Sequence, residues 1–294
     1  MTQAWSSSPP LPPANWYPDP SRVADLRYWN GWAWTTHVVV SGQVTSRPMP
    51  PPPAPGTAAG AEEHQLRLPA RAALVALVGF VAGISLSIGL SLLGQLLGVP
   101  RLARLLVSQA GLWAGLLGAV GVVSRRYGTG RPLADFRVRV SWAVLGWGAL
   151  MSLGARTASS IVAAPLVYSS PRLAGSNDKV FKVFGVDSAG FVVVALLAVV
   201  GAPIVEELFF RGVVQGAFLD RLGTVGALAL QAVLFGLAHF NPLYGWANVT
   251  VIVAIAAAGA VLGITVRLRG LGASMIAHAC FNLVAVLATV ALAG

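Results

Sequence analysis

The chain has 294 residues, is 56% hydrophobic and is only 10% charged, whereas a soluble domain averages about 25%. That balance excludes an ordinary soluble enzyme and predicts an all-α polytopic membrane protein with a small appendage. Net charge is +10, with 18 Arg against 2 Lys; the arginines cluster between apolar runs, as cytoplasmic loops do, so the basicity is no sign of nucleic acid, and the lone Cys280 excludes an intrachain disulfide.

Residues 1–13 are Ser/Pro-rich and are expected to be disordered. The first 40 residues lack the apolar core of a secretory signal. Residues 14–40 hold Trp16-Tyr17-Pro18-Asp19-Pro20 and then Arg27-Tyr28-Trp29-Asn30-Gly31-Trp32-Ala33-Trp34-Thr35. Asn30-Gly31 between aromatic-rich runs is a hairpin-turn signal. The expectation is a miniature β-module of three strands whose aromatics form a very small core. The pattern resembles a short bacterial domain of unknown function, WYPDP…RYWDG…WT, with Asn30 where an Asp is usual. Its aromatics are either a stabilising cluster or a platform for a peptide or protein partner. Residues 41–69 read as a semi-rigid linker, with six prolines between Pro48 and Pro55.

Residues 70–294 form the membrane domain. Seven spans are predicted, near 72–97, 102–124, 140–168, 189–214, 224–241, 246–266 and 271–292. Gly79-xxx-Gly83, Gly111-xxx-Gly115 and Gly259-xxx-Gly263 permit close helix approach. The loop 125–139 carries Arg125, Arg126, Arg131, Arg137 and Arg139, and the turns near Arg221 and Arg267/Arg269 fall on the same side. These place a cytoplasmic N-terminus and an outward C-terminus in a multi-pass cell-membrane protein. Arg156, inside the third span, has no evident partner.

Glu206 and Glu207 lie within the fourth span. A charge at the bilayer centre costs about 2.5–3.5 kcal/mol on insertion scales, so it marks function by default. Glu207 and Arg211 are spaced i,i+4, with the acid first, and would pair. Glu206 points about 100° away around the helix and is left to act as a base. Pro203 is expected to break or kink this span. His239 ends the fifth span, and His278 and Asn282, again i,i+4, share a face of the last. Counted from their cytoplasmic turns at about 1.5 Å per residue, Glu206, His239, His278 and Asn282 reach similar depth. A carboxylate and an imidazole can activate water, and a second imidazole with an amide can stabilise an oxyanion. The competing arrangement is a zinc ion on Glu206, His239 and His278.

The series Glu206-Glu207-xxx-Arg211, Phe235-xxx-His239 and His278-xxx-Asn282 resembles the CAAX-protease and bacteriocin-processing family of intramembrane proteases, which includes the type 2 CAAX prenyl endopeptidases. The resemblance covers about 185–290. It implies an intramembrane endopeptidase in which Glu206 is the base and His239 its partner. Glu207 and Arg211 are then supporting positions, and His278 and Asn282 the oxyanion pair. The substrate is then a peptide or membrane-anchored protein reached within the lipid bilayer. Two other readings stand beside it: a non-catalytic scaffold of bacteriocin-immunity type, and a transporter or proton relay.

Overall fold

The computed structural model describes residues 12–21, 23–49, 68–175 and 184–293. Most of the expected disordered start and most of the proline-rich linker lie outside the described residues. The chain divides into two compact units, Met1–Thr57 and Ala58–Gly294.

The first unit is an antiparallel meander of four strands, β1 (Asn15–Pro18), β2 (Leu26–Trp29), β3 (Trp34–Val40) and β4 (Gln43–Ser46), in the order β1-β2-β3-β4. The expected count of three is short by one, because β4 lies in residues read as linker. Its alternation is too polar to announce a strand, and all four of its residues are exposed. The Asn30-Gly31 turn forms as predicted between the paired Trp29 and Trp34. Asn30 Oδ1 accepts from the Trp32 and Ala33 amides at 3.1 and 2.7 Å. A carboxylate there would accept the same bonds, which explains why Asn serves in the place of Asp.

The centre of this module is polar rather than aromatic, a second correction. Arg27 and Asp19 are buried and joined at 2.8 Å, and Val38 is buried beside them. Arg27 also donates to the carbonyls of Thr35 and Arg47, so one guanidinium ties three parts of the module together. The rings pair edge-on at its surface, Trp16 with Tyr28 and Trp29 with Trp34, and Trp32 is 78% exposed. Burial opposes ionisation of Asp19, but bonds from Arg27 and Ser21 outweigh it and pull its carboxyl down to about 2.

The second unit is helical: α1 (Arg71–Leu96), α2 (Arg101–Tyr127), α3 (Trp142–Ser169), α4 (Ala189–Leu237), α5 (Asn248–Arg269) and α6 (Leu271–Ala291). Six described segments are thus long and apolar enough to cross a membrane. The 49-residue α4 is about 74 Å long at 1.5 Å per residue, far beyond a hydrocarbon slab of about 30 Å. It breaks at Gly223, whose φ of 63° and ψ of −176° are non-helical and suit only a residue without a Cβ. Its two arms restore the predicted seven spans.

Helices α1 and α2 pack backbone to backbone where the glycine pairs predicted it. A Cβ on Gly115 would lie 2.4 Å from both the Gly79 carbonyl oxygen and the Gly83 Cα. The core fills the space between this hairpin and α4–α6, with Val120, Phe209, Phe210, Val213, Phe235, Ile255 and Met275 all buried. Outward, α1 exposes Leu74, Val78, Val81 and Leu92, the apolar surface that acyl chains cover in a multi-pass membrane protein. Between α2 and α3, Asp135 accepts from the Ser124 and Thr129 hydroxyls and from the Thr129 and Arg131 amides. These donors, Ser124 foremost, hold its carboxyl down at about 2 and close the arginine-rich loop.

Candidate active site

The first arm of α4 is not uniformly α-helical. Two π-helical stretches, Leu197–Gly201 and Glu207–Val214, flank a short α segment, Ala202–Glu206. Pro203 sits in that segment and the backbone stays helical through it. Of the expected break or kink, no break occurs: the helix changes register instead. Proline has no N–H to return to the carbonyl five residues back, Ala198. Asn282 Nδ2 supplies the missing donor, bonding the Ala198 oxygen at 2.7 Å. Such π-bulges recur at functional sites because they re-aim the side chains that follow.

Those side chains are the glutamates. Glu207 is fully buried and forms an ion pair with Arg211 at 2.9 Å, as the i,i+4 spacing predicted. Two further partners come from α6. His278 Nδ1 lies 2.9 Å from Glu207 Oε1, and the Ser274 hydroxyl donates to Oε2 at 2.6 Å. A carboxylate so surrounded is an acceptor, so His278 donates from Nδ1 and presents Nε2. Arg211 is held in turn by the Gly259 carbonyl on α5 at 3.3 Å and by the face of Phe235 at 4.0 Å. Gln231 donates to the same carbonyl at 2.9 Å. A buried charge is tolerable only when paired and hydrogen-bonded in this way.

Glu206 is the opposite case. Its side chain keeps 16% of its surface, and its Oε2 has no hydrogen-bond partner among the described residues. That oxygen stands 3.9 Å from His278 Nε2. His239 Nδ1 bonds the Phe235 carbonyl at 2.8 Å. A carbonyl only accepts, so this ring too presents Nε2. Phe235 touches both rings edge-on, at 4.9 and 5.7 Å.

One cavity of about 670 Å³ is lined by Glu206, His239, His278 and Asn282 together. The first arm of α4, the turn just beyond its second arm and helix α6 therefore converge. Glu207 and Arg211 lie behind its wall, not in it. The zinc alternative fares worse: among the described residues no three His, Cys, Asp or Glu side chains form a group able to hold a metal ion. The Glu206, His239 and His278 set does not close around one point.

Two partnerships were not read from sequence. Ser274, His278 and Asn282 repeat every four residues along α6, a stripe that does include the serine. The link from Glu207 to His278 had no sequence signal, since 71 residues separate the pair.

Residues 188–284 match the model of the Rce1-like type II CAAX prenyl endopeptidase family. Residues 14–57 match DUF2510, a domain of unknown function. No curated protein and no solved structure matches the chain. Every residue named in the site, from Glu206 to Asn282, falls inside the first match.

Proposed function

We propose that the membrane unit, which carries an Rce1-like type II CAAX prenyl endopeptidase domain, hydrolyses peptide bonds inside the bilayer with water activated by Glu206. The observation that carries this reading is a carboxylate on the cavity wall, one of whose oxygens has no protein partner among the described residues, beside a second carboxylate whose oxygens are both engaged. One acid is held in place and the other is left to react.

In the proposed reaction Glu206 takes one proton from water as its oxygen attacks the scissile carbonyl carbon. His239, with its Nδ1 turned to Phe235, orients that water through Nε2. The carbonyl oxygen becomes an oxyanion. His278, with a proton on each ring nitrogen, donates to it from Nε2 while Nδ1 holds Glu207. The second Nδ2 hydrogen of Asn282 points to the same oxygen while the first holds Ala198. Glu206 then returns its proton to the departing amine as the carbon–nitrogen bond breaks. The apolar surroundings strengthen each of these interactions relative to water.

The substrate we infer is a peptide or a membrane-anchored protein. The arginines of the loop 125–139 support a cytoplasmic side for that loop and, with it, for the N-terminus. Purified protein in detergent, given a quenched-fluorescence peptide library, tests the reading. Turnover is expected to fall at least about 100-fold in Glu206→Gln and in His239→Ala, with membrane insertion unchanged. Undiminished cleavage by Glu206→Gln would remove the proposal. Full biological effect in a variant that cannot cleave would favour the scaffold reading instead.

A further inference from the structure

Pro12 and Pro13 run into β1, and proline chemistry sets their backbone. Each pyrrolidine ring holds φ near about −65°, and a following proline bars Pro12 from the helical region. An extended segment of this kind makes no internal hydrogen bonds, so its carbonyls accept from whatever lies beside them.

Two aromatic side chains supply the donors. Trp29 Nε1 on β2 donates to the Pro12 carbonyl at 2.9 Å, and the Tyr17 hydroxyl on β1 donates to the Pro13 carbonyl at 2.9 Å. Strand pairing puts both on one face of the sheet. Tyr17 stands opposite Arg27, two residues along β2 from Trp29, and Trp34 on β3 stands opposite Trp29. The Trp34 ring links the two donors, with centroids 6.2 Å from Tyr17 and 5.2 Å from Trp29. All three rings are half-buried, whereas Pro12 and Pro13 are exposed. The segment thus lies on the rings, outside the Arg27–Asp19 pair that ties the strands together.

Rings that take pyrrolidine faces, with indole and phenol donors aimed at proline carbonyls, are the means by which proline-rich peptides are recognised. The ordering cost is small because the peptide is extended before it binds. We propose that the face formed by Tyr17, Trp29 and Trp34 is a receptor for a proline-rich segment of another protein, and that Pro12-Pro13 occupies it in cis until such a segment displaces it. Both bonds are solvent-exposed, so water replaces them readily during exchange. This binding belongs to the N-terminal module alone and is independent of whether the membrane unit cleaves peptides. A partner captured here is tethered to the membrane unit through the chain itself, which raises its local concentration there.

Fluorescence anisotropy tests it on the parent chain in neutral detergent and on a variant lacking residues 9–13. The labelled probe is Ser-Pro-Pro-Leu-Pro-Pro-Ala, the sequence of residues 8–14. Its control has alanine for every proline, and partition into protein-free micelles is subtracted. A tethered competitor acts at about 1 mM, which weakens a ligand of about 0.1 mM dissociation constant roughly tenfold. The deletion variant is therefore expected to bind the probe about tenfold tighter than the parent and to ignore the control. Trp29→Phe in the same background, which keeps a ring and removes the donor, is expected to weaken binding about fivefold, the worth of one hydrogen bond. Near-ultraviolet circular dichroism of the deletion variant is expected to match the parent, and its loss would make the segment part of the fold and overturn the proposal. Absence of probe binding, equal binding of the control, equal affinity of parent and deletion variant, or an unchanged affinity in Trp29→Phe each overturns it as well. Self-association of the deletion variant without probe binding gives the face to a second copy of the chain instead.

Discussion

Glu206 and Glu207 differ by one position and have opposite surroundings. Glu207 is enclosed by Arg211, His278 and Ser274, so its replacement breaks the buried ion pair with Arg211. Truncating one partner of a buried pair costs about 3–5 kcal/mol. Glu207→Ala is therefore expected to lower thermal stability in detergent by that amount, measured by intrinsic fluorescence. Glu206→Gln, whose lost charge had no ion-pair partner closer than 3.9 Å, is expected to melt within a degree or two of the parent. Equal losses in both variants would contradict the assignment of structure to one acid and chemistry to the other. This division was partly legible before the structure: i,i+4 spacing paired Glu207 with Arg211 and freed Glu206. His278 was less so. Its spacing to Asn282 put both on one face, but only the packing of α6 against α4 shows that Nδ1 is occupied by Glu207.

Helices here meet through glycine, and the contacts at each one differ. Gly115 faces the backbone of α1 at 2.4 Å, whereas Gly118 on the same helix has nothing within 4 Å of a Cβ. Backbone cannot step aside as a side chain can. Gly115→Leu is expected to cost at least 1–3 kcal/mol by overpacking, and Gly118→Ala to be neutral or to stabilise by roughly 0.5–1 kcal/mol. Paired thermal melts of the two variants decide this, and a Gly115→Leu protein as stable as the parent would refute the close approach. The GxxxG spacing identified this contact in advance. It did not identify the π-helical stretches of α4, because hydrophobic periodicity is blind to a change of register within a continuous apolar run. Pro203 was the visible cue, and the expectation drawn from it, a break or kink, did not include the bond by which Asn282 satisfies the freed carbonyl.

In the N-terminal module Asp19 is held at about 2, below its usual 3.8. Folding lowers this carboxyl, so its contribution is complete above pH 3.8 and is lost as pH falls towards 2. Loss of near-ultraviolet circular dichroism from the module's tryptophans is expected across that interval on the full chain. In Asp19→Asn the signal should no longer change there. An unchanged acid transition in the variant would show that another group governs it. The strand count of this module was short by one because β4 is exposed along its whole length and leaves no alternating pattern to read.

Composition and charge spacing were enough to establish a multi-pass helical protein with a small β-module, since apolar length and loop arginines report directly on the bilayer. Motif spacing was enough to nominate Glu206, His239, His278 and Asn282, because residues three or four apart must share a helix face. Which ring nitrogen faces the cavity, that Ser274 closes the cage around Glu207, and that Arg156 lines the same cavity as Glu206 were decided only by tertiary packing. Those facts join residues from separate helices, and contacts between helices follow from how whole surfaces fit, which no local spacing encodes.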